Sequence, residues 1–207
     1  MLWLTAASRS VDGLWVGAYF QENAEATLRR VEEALGLIKT YDRPRYDRLT
    51  RDLERVWVRL TPSGSAHFDQ SLWACILDER FVLAETTDAE MIAGAIVHEA
   101  THARLDRCGF RYEEDQRERV EAICNRRMLA FARKLPDGHG VRAWAEANLA
   151  VDTSYYVDAA LRERAEEGNL QILQHLEPSW VARPASALIR WRMRRAERRR
   201  PRSGKTG

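Results

Sequence analysis

The sequence predicts an α+β fold, mainly helical, in which a small, mostly antiparallel sheet precedes two long helices. Three observations carry this. Apolar residues recur at spacings of three and four over most of the chain; the period turns to two only between Val56 and Ala84; and turn residues at Thr61 to Ser65 and Pro136 to Gly138 punctuate the pattern. With 207 residues, 45% hydrophobic and 31% charged, the chain is long enough for one sizeable core and short for two. A single domain is expected over residues 1–182: a helical part over 1–55, a sheet and site-bearing part over 56–135, and a helical part over 139–182. A basic tail occupies 183–207.

The first twenty residues are rich in aromatics (Trp3, Trp15, Tyr19, Phe20) but show no sustained period, with a turn near Asp12-Gly13. From Asn23, a suitable N-cap, Ala24, Leu28, Val31, Leu35 and Ile38 form the stripe of an amphipathic helix that stops before Asp42-Arg43-Pro44. Pro44 opens a second helix carrying Tyr46, Leu49 and Leu53. Val56, Val58 and Leu60 alternate with Trp57 and Arg59 as a strand, and a further strand begins at His67-Phe68. Residues 72–77 and 80–84 flank Asp78-Glu79 as a hairpin.

Thr87-Asp88-Ala89-Glu90 reads as a capping box with Thr87 at the N-cap. The helix it starts carries Met91, Ala95, His98, His102 and Leu105 on one stripe and ends at Cys108-Gly109. A second long helix from Glu113 to Lys134 presents Val120, Ile123, Cys124, Met128, Phe131 and Leu135 to the core. Further helices are expected near 141–150, 153–166 and 169–176.

The chemistry is concentrated in His98-Glu99-Ala100-Thr101-His102. Histidines four residues apart on a helix project from one face, so both imidazoles can reach one zinc ion while Glu99 stands beside the open coordination position. A catalytic zinc site needs a third protein ligand. Glu121 on the next helix, with eighteen residues intervening after His102, is the candidate, with Glu118 and Glu114 as alternatives. Cys108 and Cys124 could bind zinc in principle, but single cysteines on helical apolar stripes are usually core and both are read so. A hydrolytic zinc site also needs a donor for the negative charge that develops in the transition state. Tyr155 or Tyr156 are the nearest candidates, with His139 and His175 behind them, and spacing does not choose among them.

The pentapeptide and the spaced glutamate resemble the gluzincins, zinc peptidases with an H-E-x-x-H motif followed by a glutamate ligand on a later helix. The resemblance covers about residues 56–135. It implies a zincin-like domain, Zn2+ held by His98, His102 and Glu121, Glu99 as general base, a peptide or protein substrate, and an edge strand that binds the extended substrate. Asn125, one turn after Glu121, is placed to orient a histidine ring from the second layer, where the family often has aspartate. Arg104 stands where such motifs usually carry an apolar residue. The function this implies is metal-assisted peptide-bond hydrolysis. The alternative is a catalytically weak or inactive zinc-binding regulatory or interaction module of the same fold.

The net charge of +2 conceals an asymmetry: ten basic residues and one acid from Arg183 onward, against 23 basic and 30 acidic residues before it. The tail is read either as a solvated basic end or as a segment whose Leu188, Ile189, Trp191 and Met193 lie on an anionic membrane surface or on nucleic acid, although no specific nucleic-acid motif is present. Three cysteines without C-x-x-C spacing, no apolar run of membrane-spanning length and no basic leader point to the cytoplasm, peripherally at a membrane if the tail engages one.

Overall fold

The structure, a computed structural model, describes residues 6–19 and 23–175. The basic tail 183–207 and residues 176–182 of the expected domain lie outside the described residues. An α+β arrangement is observed. The chain begins with strands β1 (Ala6–Val11) and β2 (Leu14–Tyr19), followed by helices α1 (Ala24–Tyr41) and α2 (Arg43–Asp52). Strands β3 (Arg55–Arg59), β4 (Ala66–Asp69) and β5 (Ala74–Asp78) come next, then the short helix α3 (Glu79–Leu83). The remainder is helical: α4 (Ala89–Arg107), α5 (Glu114–Ala132), α6 (His139–Leu149), a 3-10 turn (Thr153–Tyr156) and α7 (Asp158–His175).

Residues 6–19 correct the expectation of a helical N-terminal part: helix starts only at Ala24. Asp12 and Gly13 both have positive φ, 50° and 86°, which makes the tight two-residue turn that matches strand twist. The strand signal is hidden because β2 is buried on both faces, with Leu14, Val16, Gly17 and Ala18 all inside, so its polar alternation disappears. The Asp12 carboxylate accepts from Lys39 Nζ at 2.8 Å and the Tyr46 hydroxyl at 2.7 Å, tying the turn to α1 and α2.

The five strands lie in the order β1-β2-β3-β5-β4. The sheet is mixed rather than mostly antiparallel: β1–β2 and β4–β5 are antiparallel, β2–β3 and β3–β5 parallel. Crossover geometry explains this. Helices α1 and α2 return the chain to the end from which β2 started, so β3 must run alongside it. Strand β4 then runs back along the outer edge, and β5 inserts between it and β3.

The expected hairpin over 72–84 is also corrected, because β5 pairs with β4, and residues 79–83 are helical. Asp78 decides this locally. Its buried carboxylate accepts from the Arg80 amide at 2.9 Å, capping α3, and also binds the Arg80 side chain and the Thr61 amide. A cap at that position starts a helix and breaks the strand alternation.

Helix α1 lays Leu28, Val31, Leu35 and Ile38 into the core at 1% exposure or less, each burial stabilising by about 1.5–3 kcal/mol relative to exposure. It packs on α4, which is buried on most of its circumference from Ile92 to Val97 and flanked by α2, α5, α6 and the sheet. The cap of α4 is Asp88, not Thr87: Asp88 Oδ1 accepts from Met91 N at 2.7 Å. Glu90 turns instead to the amide of Gly138 at 2.7 Å, before α6. The two helices expected over 153–166 and 169–176 are one, α7, which runs through a Gly168 buried against the Pro62 backbone rather than stopping there.

Candidate metal centre

Helices α4 and α5 pack together as neighbours, and the site forms where their facing sides meet the β4 edge. His98 and His102 project from α4 at one-turn spacing; Glu121 and Cys124 face them from α5. The Nε2 atoms of His98 and His102 are 3.2 Å apart. Glu121 Oε2 stands 3.2 Å from His98 Nε2, and Oε1 stands 3.5 Å from His102 Nε2. Ligand atoms held about 2.0–2.2 Å from one tetrahedral ion stand about 3.3 Å from each other, so the two imidazole nitrogens and the Glu121 carboxylate, one oxygen toward each ring, have a spacing and a donor chemistry that could suit a metal ion.

The two rings differ in their electrostatics: burial acts downward on His98, but the Glu121 contact and the Glu99 and Glu121 charges outweigh it and push this imidazole up, so it must give up a proton to ligate a metal. Burial, with help from the neighbouring His98, pushes His102 down to about 4, so its imidazole is neutral at physiological pH, the form that ligates metal. For Glu121 burial acts upward, but the His98 contact, the positive charge that either imidazole carries when protonated and the Tyr112 hydroxyl outweigh it and hold the carboxyl down to about 2. Glu121 is therefore the anion of the triad.

Glu99 lies between the triad and the sheet, only 7% exposed. Burial pushes its carboxyl up to about 7; the His98 charge and the backbone amide of Phe68 on β4 oppose this, and the Glu121 charge adds to it. β4 is the sheet's edge strand. Ser65 O accepts from Asp78 N at 2.7 Å, so the odd-numbered backbone groups turn toward β5. By strand alternation those of Ala66 and Phe68 turn to the free edge, beside Glu99. The cleft has a volume of about 850 Å³ and is walled by β4 on one side and by Tyr112, Trp144, Tyr156 and Arg164 on the other.

No family model matches the chain, and no curated protein or solved structure is significantly similar to it.

The structure distributes the remaining candidates as follows. Glu114 and Glu118 do not reach the triad: Glu114 Oε1 accepts from the Asp158 amide at 3.0 Å and Glu118 Oε2 from Thr153 Oγ1 at 3.1 Å. Asn125 does not orient a histidine. Its Nδ2 donates to Glu121 O at 2.9 Å and its Oδ1 accepts from Asn148 at 3.1 Å, so it fixes the backbone of Glu121's turn to α6. Tyr155 and Tyr156 both line the cleft. The Tyr156 hydroxyl donates to Asn148 O at 3.3 Å, while Tyr155 is exposed with the Arg164 guanidinium 3.5 Å above its ring. His139 opens α6 at the surface; His175 closes α7, and its side chain lies outside the described residues.

Two residues gain a place that the sequence reading did not give them. Tyr112, in the α4–α5 connection, donates its hydroxyl to Glu121 Oε1 and sets its ring edge against His102 at 5.3 Å. Arg117 lies 5.2 Å over the same ring. Cys124 is buried as expected of a core residue, yet its sulfur, with the two histidine nitrogens, forms a set of atoms all within 4.8 Å of one another. Its spacing of three from Glu121 was the available signal. Burial pushes the Cys124 thiol well up, with the Glu121 and Glu99 charges adding to the effect, so it favours the protonated form, whereas Glu121 is already ionised. Cys108, expected in the core, is exposed at the end of α4.

Proposed function

We propose that this chain is a zinc-dependent peptide-bond hydrolase with a zincin-like active site of the gluzincin kind. The observation that carries the reading is the pair of Nε2 atoms of His98 and His102, 3.2 Å apart, with the Glu121 carboxylate set against both, Oε2 at 3.2 Å from His98 and Oε1 at 3.5 Å from His102. Those three residues would hold the ion. When bound, zinc polarises a substrate carbonyl and lowers the pKa of a water from about 15.7 toward about 7.

The chain's own residues supply the rest. Glu99, buried beside the triad, takes the proton from the attacking water and passes it to the leaving amine. The free edge of β4 offers Ala66 N–H and C=O and Phe68 C=O to an extended peptide, adding it as a further strand. Tyr112 holds Glu121 by its hydroxyl, and Asn125 holds Glu121's backbone. The free thiols of Cys75, Cys108 and Cys124 fit a reducing, cytoplasmic setting. No helix among the described residues is long and apolar enough to cross a membrane.

A zinc-binding module without hydrolytic activity is the second reading. It is favoured by the Tyr156 hydroxyl being engaged by Asn148 and Tyr155 lying at the surface. A peptide-library digest compares wild type with Glu99→Gln, with zinc measured in both. Cleavage by wild type alone, at equal zinc, supports the hydrolase; identical profiles sink it in favour of the silent module.

A further inference from the structure

A second depression, of about 320 Å³, lies between α2, α4 and α5, lined in part by Arg45, Arg48, Arg104 and Arg127. Its α4 wall includes Val97, Ala100, Thr101 and Arg104. At 100° per residue these are centred about 130° round the helix from His98 and His102, so the depression is separate from the cleft described above. Arg45 and Arg48 share one face of α2 with Leu49 and Asp52, at the i, i+3, i+4, i+7 spacing.

Four arginines line one depression, and the acids beside them answer only part of their charge. Arg45 pairs with the buried Asp42 at 2.8 Å, a carboxylate already shared with Lys134 at 3.0 Å. Asp52 is the one acid lining the depression, and it is reached by Arg104 only at 3.7 Å and by Arg107 at 3.9 Å, beyond good hydrogen-bond distance. Arg48 and Arg127 make no hydrogen bond or ion pair among the described residues. All this occurs on a body whose residues 1–182 are net acidic. The buried Leu49, Val97 and Ala100 make its apolar lining.

We propose that this depression is a binding site for a small, multiply charged oxyanion of the phosphate or pyrophosphate class. Arg48, Arg104 and Arg127 line the depression from three helices, and the planar fork of arginine suits bidentate recognition of such oxygens. Arg104, out of place in a zinc-peptidase motif, then serves the far side of the motif helix. The proposal does not depend on the hydrolase reading.

Isothermal titration of the full chain with inorganic pyrophosphate at low ionic strength tests it. One saturable site per chain is expected, weakened at least tenfold by the double substitution Arg48→Gln/Arg127→Gln. Both side chains are exposed, so the core is untouched. The double substitution Arg142→Gln/Arg162→Gln removes the same charge from exposed positions outside the depression and is expected to leave affinity within twofold. Binding by the basic tail, or by a metal at the histidines, would survive Arg48→Gln/Arg127→Gln undiminished and would overturn the proposal. Equal loss in both double variants, or no saturable binding by the wild type, would overturn it as well.

Discussion

His98 and Glu121 are 23 positions apart in the chain, yet His98 Nε2 and Glu121 Oε2 stand 3.2 Å apart. The contact joins the motif helix to the following one. It also makes Glu121, rather than Cys124, the third ligand in our reading. Glu121→Ala is expected to abolish a zinc stoichiometry of about one per chain, as is His98→Ala, whereas Cys124→Ser retains it. Metal analysis after dialysis decides between the two: full zinc in Glu121→Ala together with loss in Cys124→Ser would move the ligand to the cysteine.

Tyr112 grips the same carboxylate from outside. Removing partners of this kind lowers metal affinity about 10–100-fold. Tyr112→Phe keeps the ring against His102 and removes only the hydroxyl, so a fall in that range is expected in a chelator-competition titration, with the far-ultraviolet spectrum unchanged. Unaltered zinc affinity would count against Tyr112 as an anchor of Glu121.

Asp78 should govern part of the acid stability. Burial pushes its carboxyl up, but the Arg80 hydrogen bonds and the Thr61 amide outweigh this and hold it below the ordinary value of 3.8. A carboxyl depressed in the folded state stabilises fully above its unfolded pKa and loses that stabilisation as pH falls through the folded one. Urea midpoints of the wild type should therefore drop as pH falls below about 4, the ordinary aspartate pKa. Asp78→Asn leaves the partly buried Arg80 without its anion, should cost about 3 kcal/mol near neutral pH, and should flatten that acid limb. A variant with the wild-type pH profile would show that Asp78 is not the titrating group.

The motif helix also depends on close packing against α6. A Cβ added at Gly94 would meet Val141 Cγ1 at 2.7 Å. Overpacking of this kind costs about 1–3 kcal/mol, so Gly94→Ala should lower the denaturation midpoint accordingly, despite alanine's better helix propensity. Adding Val141→Ala should recover part of the loss. A stabilised Gly94→Ala would mean that α6 gives way freely.

Much of the scaffold was legible because local periodicity reports burial on one face. The stripe from Ala24 to Ile38 buries what its spacing predicts, as do Val56 and Val58 of β3 and Val120, Cys124, Met128 and Phe131 of α5, whereas Leu60 and Ile123 are only half-buried and Trp57, on the opposite face of β3, is buried as well. The signal failed where its premise failed. β2 is buried on both faces and loses its alternation. Residues 80–83 are too few for a period to choose between helix and strand, and a single buried aspartate chose.

For the candidate site, the sequence by itself determined that two histidines and a glutamate occupy one region of one helix and that a second glutamate follows on the next helix with eighteen residues intervening. Only the tertiary structure decided which acids face the histidines. Glu114, Glu118 and Glu121 sit on successive turns of α5, and the packing of α5 against α4 brings Glu121 to His98 while Glu114 and Glu118 meet the segment from Thr153 to Asp158. The structure likewise brought Tyr112 and Cys124 to the triad and set β4 at the sheet's edge beside Glu99. The physical reason is common to all of these. Helical and strand periods are properties of adjacent residues, whereas which elements meet, and at what rotation, depends on how the whole apolar surface is buried.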